Sequence, residues 1–277
     1  MIKQESFDDY LDRPGASATA LKAFAVSAKY GAHRLSHPIE ETANMRLGTL
    51  VHMRILEPER ADEDVHYEPR LKAMMPQDAT LRRHDAEHPG KIVVPEGWRE
   101  LSQRLADAVM EDDVASHLVK RATRRETTLT WTDKDFPCKA RIDGYTPGFG
   151  LIDLKVTSAG RSPHEFAQQA ARQGWDIQNA WYQRACVMTG LSDGVPGFAH
   201  VCIDPLLGIV RCYELDLVSV ESGWKKCLRA LSRLKAYVNE GKYLDEPSGV
   251  VPVQLPIWSL SPGSEIVDTQ LHERRPA

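Results

Sequence analysis

The segment that most constrains this chain is ARIDGYTPGFGLIDLKVTS, running from Ala140 to Ser158. It reads as two strands joined by a turn over Thr146–Gly150. With that turn centred on Gly148, Asp143 and Asp153 stand opposite each other on neighbouring strands. Facing residues there have Cβ atoms about 4.5–5.5 Å apart. Two like charges so placed destabilise the pair unless something compensates them. A divalent cation is the natural compensation, because hard cations prefer carboxylate oxygens. Alternation puts Lys155 on the face of Asp153 and sends Ile152 and Leu154 to the opposite, core face. An ammonium beside two carboxylates and a metal suits water activation, or stabilisation of charge on a transferring phosphoryl group. The competing reading is a solvent-facing hairpin with ordinary surface charge. A one-residue slip in register would turn Asp143 to the core.

Around this hairpin the patterning alternates between helix and strand, with no internal repeat. Ser6 precedes a short helix stopped by Pro14-Gly15. Ser17 opens a helix read as one piece, SATALKAFAVSAKY. A third helix spans about 44–56, with Leu47, Val51 and Ile55 on one stripe. Residues 66–98 read as irregular apart from a short strand at Lys91, and a helix follows over about 96–112. ETTLTW, from Glu126 to Trp131, begins a β meander that continues through the hairpin. After Pro163 comes a long helical segment with a break near Gly174 and a C-cap at Gly190. Two strands, GFAHVCID and GIVRCYELD, flank a turn at Pro205–Gly208, and a last helix covers about 218–239. The tail after Leu255, rich in Pro, Ser and charge, reads as loose. The expectation is an α/β chain with one central mixed sheet.

Composition adds exclusions. The 35 Lys+Arg against 39 Asp+Glu give a net charge of −4, which on its face argues against a nucleic-acid partner. Whole-chain charge averages away local patches, however. Basic residues cluster at Arg82–Arg83 and over Lys120–Arg125, which predicts a locally basic path on an acidic surface. The N-terminal MIKQESFDDY has no apolar signal-peptide region, and no stretch approaches the ~18 apolar residues of a membrane span. The five cysteines form no C-x-x-C pair, so the expectation is reduced thiols in a cytoplasmic protein with no membrane partner. There is no G-x-x-x-x-G-K-[ST], H-E-x-x-H or G-x-S-x-G. His84 and His88 are four apart, but Pro89 and the lack of acidic partners nearby argue against a zinc site there.

Three further features accompany the hairpin. His52 sits beside the apolar stripe of the third helix, where a lone His is usually structural. Gln178 and Tyr182 share a helical face, a pair common on surfaces. Glu126 opens the strand before Asp143 and reads equally as an edge charge.

In this order and spacing, Asp143…Asp153-Leu154-Lys155 resembles the core of the PD-(D/E)xK nuclease superfamily. Gly48-Thr49-x-x-His52 before it and Gln178-x-x-x-Tyr182 after it resemble the RecB-like branch, which is related to lambda-exonuclease-type enzymes. The chain resembles the phage-type RecE, or exonuclease VIII, group more closely than that branch. That likeness includes Pro14-Gly15-Ala16-Ser17, Leu56-Glu57-Pro58-Glu59, Gly90-Lys91-x-Val93 and Leu255-Pro256-x-Trp258. One departure is Ile142, where the superfamily name has proline.

The resemblance implies a restriction-endonuclease-like fold: a mixed sheet with an antiparallel meander core, flanked by helices. One exonuclease domain would span 1–258, with a helical part over about 1–120, a core over about 121–258 and a tail over 259–277. It implies Mg²⁺, two ions, with Mn²⁺ as a substitute. Asp143, Asp153 and the Leu154 carbonyl would hold one ion and His52 would help hold the second. Lys155 would orient or deprotonate the attacking water. Gln178 and Tyr182 would support the site, with Glu126 an accessory acid. The implied activity is 5′→3′ digestion of linear double-stranded DNA, leaving 3′ overhangs. A ring-shaped homotrimer and a single-strand annealing partner of the RecT/Bet type go with it. A 5′-phosphate would be gripped by Arg13 and the helix start at Ser17. Arg82, Arg83, Arg121, Arg124 and Arg125 would meet the DNA backbone. A structure-specific endonuclease on the same core, and a non-catalytic DNA-binding or assembly protein, are the alternatives.

Overall fold

The computed structural model describes residues 1–246 and 249–253. The chain divides into two units, Met1–Asp245 and Glu246–Ala277, and the architecture belongs to the first. The expected boundary at 258, the loose tail and the Leu255-Pro256-x-Trp258 motif lie outside the described residues.

In chain order the elements begin with β1 (Ile2–Gln4), α1 (Phe7–Asp12), α2 (Ala18–Val26), α3 (Ala28–Ser36), α4 (Ala43–Leu56) and α5 (Pro58–Glu63). Next come β2 (Val65–Glu68), α6 (Asp78–Glu87), β3 (Ile92–Pro95), α7 (Trp98–Glu111) and α8 (Asp113–Lys120). The meander follows as β4 (Arg124–Asp133), β5 (Phe136–Thr146) and β6 (Gly150–Val156). The chain then runs through a 3₁₀ turn at Ser158–Arg161, α9 (Pro163–Gln173), α10 (Trp175–Thr189), β7 (Gly197–Ile203), β8 (Val210–Tyr213) and α11 (Leu217–Glu240).

Six strands form one mixed sheet in the order β1-β4-β5-β6-β7-β8. β6 and β7 are parallel, and the other neighbours in that sheet are antiparallel. β2 and β3 form a separate parallel pair. The mixed sheet with helices on both faces is the expected α/β class. One face buries Ile152, Leu154, Val201 and Ile203 against α4, α7 and α8. The other buries Leu129, Ile142, Leu151 and Phe198 against α2, α10 and α11. On α4, Leu50 and Val51 are fully buried. Each such side chain contributes about 1.5–3 kcal/mol relative to exposure, so this helix is fixed by its packed face. Among the described residues no helix is long and apolar enough to cross a membrane.

The structure corrects several sequence expectations. The helix from Ser17 is two helices, because Ser27 is extended (φ −159°, ψ 162°) and its side chain caps α3 by accepting from the Tyr30 N–H. The two halves fold against each other at Gly31, where a Cβ would come within 2.3 Å of the Phe24 ring. The segment 66–98 is not irregular: it carries β2 and α6. Only Leu81 and His84 of α6 are buried, too few to show a helical period. α8, capped by Asp112, and β1, which pairs with β4, were also not anticipated. The break at Gly174 is as expected: that residue is left-handed (φ 62°), a conformation glycine adopts without steric cost.

Candidate active site

The turn expected at Thr146–Gly150 sets the β5–β6 register, with Thr146 opposite Gly150 and Gly144 opposite Ile152. The paired stretch stops there, one step before Asp143 and Asp153. The next backbone donor, the Leu154 N–H, is taken by the Asp143 carboxylate at 2.8 Å. A gap also interrupts the β4–β5 ladder. Arg125 pairs with Gly144 and Thr127 with Ile142, leaving Glu126 and Asp143 between them. Glu126 is left-handed (φ 43°), uncommon for a residue with a Cβ. The strands thus open where the carboxylates stand, and side chains from both helical layers enter.

From one layer, α4 supplies His52. Its Nε2 lies 2.9 Å from the Leu154 carbonyl and its Nδ1 3.5 Å from Asp143 Oδ2. Ligand atoms of His52, Glu126 and Asp143 all lie within 4.8 Å of one another, a set able to hold a metal ion. From the other layer, α10 supplies Gln178, whose amide donates to Asp153 Oδ1 at 2.7 Å. Lys155 reaches Asp153 Oδ2 at 2.5 Å, on the face that alternation predicts. Lys155 also stands 5.6 Å from the centre of the Trp175 ring. Tyr182 is half-buried, packs near Phe198 and feels the charges of Asp143, Asp153 and Glu126. Burial raises its phenol well above the ordinary value, so it stays protonated.

The two aspartates differ sharply. Burial pushes the Asp143 carboxyl up to about 7; the charges of Asp153 and Glu126 add to this and His52 opposes it. Asp153 is only 1% exposed. Burial disfavours its charge, but Lys155 and His200 hold it well below the usual carboxylate range. Asp153 is therefore an ion whose partners are built in. Asp143 is a carboxylate short of positive charge.

Three residues at the site gave no signal in the sequence. His200 on β7 is fully buried and brings Nδ1 to 3.2 Å from Asp153 Oδ2. Asp153 and His200 are register partners across the parallel β6–β7 pair. Sequence reading cannot give that pairing, because α9 and α10 intervene. Lys22 on α2 donates to Gln178 Oε1 at 3.1 Å, and burial with repulsion from Lys155 brings its ammonium down to about 8. Arg141 pairs with Glu126 at 3.0 Å and donates to the Glu5 carbonyl at 2.8 Å.

The residues expected to meet DNA are largely committed elsewhere. Arg13 pairs with Glu5 at 2.5 Å, and Ser17 acts as the N-cap of α2, accepting from the Ala20 N–H. Arg82 pairs with Glu40, and Arg121 contacts His117. Arg125 donates to the carbonyls of Val119 and Leu56, so it holds the start of β4 rather than facing solvent. Arg83 and Arg124 are exposed. The basic runs thus serve in part as internal struts.

No family model matches this chain, and no curated protein matches it. Among solved structures it is similar to a candidate exonuclease from Eubacterium rectale. The two superpose with a TM-score of 0.61 at 15% identity, covering 94% of this chain and 99% of that one. At that identity the likeness establishes a shared fold. A phage-related exonuclease from Haemophilus somnus 129PT matches at 13% identity over 85% of this chain and 100% of that one. Its TM-score is 0.34, too low to carry weight.

Proposed function

We propose that this chain is a metal-dependent exodeoxyribonuclease that degrades linear double-stranded DNA in the 5′→3′ direction. One observation carries the reading: His52, Glu126 and Asp143 converge within 4.8 Å directly beside the Lys155–Asp153 pair. The fold shared with a candidate exonuclease supports it. So does the ordered His–Asp–Asp–Lys–Gln/Tyr set of the PD-(D/E)xK resemblance.

The donor set fits Mg²⁺ or Mn²⁺. Two carboxylates, one imidazole and the adjacent Leu154 carbonyl are mainly hard oxygen ligands. The raised Asp143 carboxyl points the same way, since its neighbours leave negative charge unbalanced. Asp153 completes the acidic set if it turns an oxygen from Lys155 toward the ion. A bound divalent ion supplies Lewis acidity toward phosphate oxygens and charge neutralisation for an in-line displacement. The protein does the rest. Lys155, held by Asp153, orients the attacking water or donates to a non-bridging phosphate oxygen as charge builds. Gln178 and His200 fix the Asp153 carboxylate, and Lys22 fixes Gln178. Tyr182, kept protonated, offers a donor at the edge of the site.

A ring-shaped homotrimer, a RecT/Bet-type annealing partner, a role in recombination and a cytoplasmic setting belong to the same proposal through the resemblance. The test is digestion of end-labelled duplex, with 5′-phosphate or 5′-hydroxyl, in Mg²⁺ and in EDTA. Closed circular DNA serves as control and Asp153→Ala as comparison. Mg²⁺-dependent release from 5′ ends, lost in Asp153→Ala, is the expected result. Cleavage of the closed circle would turn the reading to an endonuclease. Hydrolysis unchanged by EDTA and by the substitution would sink it.

A further inference from the structure

A second group of ligand-type side chains shares no residue with the site above. It is built on β2 and on α6 with the turn that follows. At its centre is Glu68, whose residue is 3% exposed. Three imidazole nitrogens approach the same oxygen, Glu68 Oε2: His66 Nε2 at 3.6 Å, His84 Nδ1 at 3.6 Å and His88 Nε2 at 3.4 Å. The His66 and His88 rings stack with centroids 3.7 Å apart, so both present Nε2 to the same side. Ligand atoms of His66, Glu68 and His88 lie within 4.8 Å of one another, and so do those of Glu68, His84 and Glu87.

The second of these groups already holds a cation, on the oxygen that the two groups share. Arg70 Nη2 lies 2.7 Å from Glu68 Oε2, 2.5 Å from Glu87 Oε2 and 3.2 Å from His84 Nδ1. Because Arg donates only, the last contact means His84 turns a lone pair toward the centre. The Arg70 side chain is 59% exposed, so these polar contacts rather than packing hold it in place. Removing it would leave Glu68 buried and anionic beneath three imidazoles.

We infer that His66, Glu68 and His88, with water completing the set, form a second metal site that takes a zinc-class divalent ion, with the Arg70 guanidinium, bound to the same Glu68 oxygen, as its removable competitor. Spacing supports this. A tetrahedral ion with bonds of about 2.0–2.1 Å keeps its ligands about 3.3–3.4 Å apart. The nitrogen-to-Oε2 separations here are 3.4–3.6 Å. Donor type supports it too, since imidazole suits zinc, nickel and copper, whereas magnesium demands oxygen. Lack of acidic partners excluded His84 and His88 from the sequence alone. The fold supplies those partners, as Glu68 from β2 and Glu87 from the end of α6. Bound there, the ion clips β2 to the α6–β3 connection and stabilises the folded chain by mass action.

The test uses the full chain stripped with chelator and titrated with zinc chloride alone against a chromophoric zinc indicator. Melting temperature is followed in parallel, with excess Mg²⁺ present throughout to occupy oxygen-rich sites. Wild type is expected to take up one zinc equivalent that His66→Ala/His88→Ala lacks and that His52→Ala/Asp143→Ala retains. Arg70→Gln leaves every ligand in place and removes the competing cation, so it should bind zinc at least about tenfold more tightly, with a larger zinc-induced rise in melting temperature. Unchanged affinity in Arg70→Gln, or an equivalent that disappears only with His52 and Asp143, overturns the assignment. These readouts report zinc, not DNA hydrolysis, so they stand or fall apart from the proposed nuclease activity.

Discussion

Among the described residues, the histidine–carboxylate cluster around Glu68 and the one around Asp143 settle their charge in opposite ways. On β2 and α6, the Arg70 side chain grips Glu68 through two hydrogen bonds from its guanidinium and holds that carboxyl well below its ordinary range. On β5 and β6, burial raises Asp143 to about 7, while Lys155 and His200 are spent on Asp153. In the first cluster the cation sits on the central carboxylate; in the second Arg141 is taken by Glu126 and Lys155 by Asp153, which leaves Asp143 without a paired Lys or Arg. The donor sets differ as well: imidazole-rich around Glu68, carboxylate-rich around Asp143. If both clusters bind metal as proposed, this separation of donors would let them take two kinds of ion without mixing them.

The largest effect that would break this contrast is loss of hydrolysis when the acidic cluster is emptied. Asp143→Ala, Asp153→Ala or EDTA should each lower the rate of duplex digestion by on the order of 10³-fold or more, measured as nucleotide release from end-labelled DNA. His66→Ala/His88→Ala should leave that rate near wild type. Equal losses in both sets would mean the clusters act as one. Lys155→Ala should lower the rate by about 10²–10³-fold with metal affinity little changed, since its proposed role is to donate to the reacting groups and not to ligate the metal.

Stability against pH sharpens the contrast further. Asp143 has a folded value above the ordinary value of about 3.9. Its contribution is therefore full below about pH 4 and is lost as pH rises through about 7. Glu68 is the reverse: depressed in the fold, it stabilises above its ordinary value, and that contribution is lost as pH falls. In chelator, Asp143→Asn should therefore raise the melting temperature at pH 7 by a few degrees, an order-of-magnitude expectation. Arg70→Gln should make unfolding at acid pH set in earlier. A flat difference curve between pH 4 and 7 for Asp143→Asn would contradict the charge deficit. The smallest effect is reserved for Gln178→Ala. Losing one hydrogen bond to a charged carboxylate should cost about tenfold in rate, while Gln178→Glu, placing a second anion on Asp153, should cost more.

What could be read from the sequence was local. The turn centred on Gly148 fixed the β5–β6 register, and with it the places of Asp143, Asp153 and Lys155. The stripe on α4 placed His52, and the four-residue spacing placed Gln178 and Tyr182 on one helix. What escaped depended on contacts between distant segments. His200 joins Asp153 only through a parallel pairing across a helical crossover. Lys22 arrives from α2, and Arg125 turns inward because the carbonyls of Leu56 and Val119 lie in reach. The split at Ser27 and the short α6 were hidden for a different reason. A serine suits a cap or a helix interior, and two buried side chains make no period. His84 and His88 looked partnerless because Glu68 is a strand away.

The parallel pairing of β6 with β7 also sets an order of events in folding. The β5–β6 hairpin closes through a short turn and can form within microseconds. Its partner β7 must wait until α9 and α10 have formed and swung the chain back across the sheet, a non-local closure that is slow by comparison. Until then Asp153 has neither His200 nor Gln178, and two facing carboxylates oppose the hairpin that carries them. In refolding experiments sheet signal should therefore appear before activity, and divalent ions should speed the early phase by screening that repulsion.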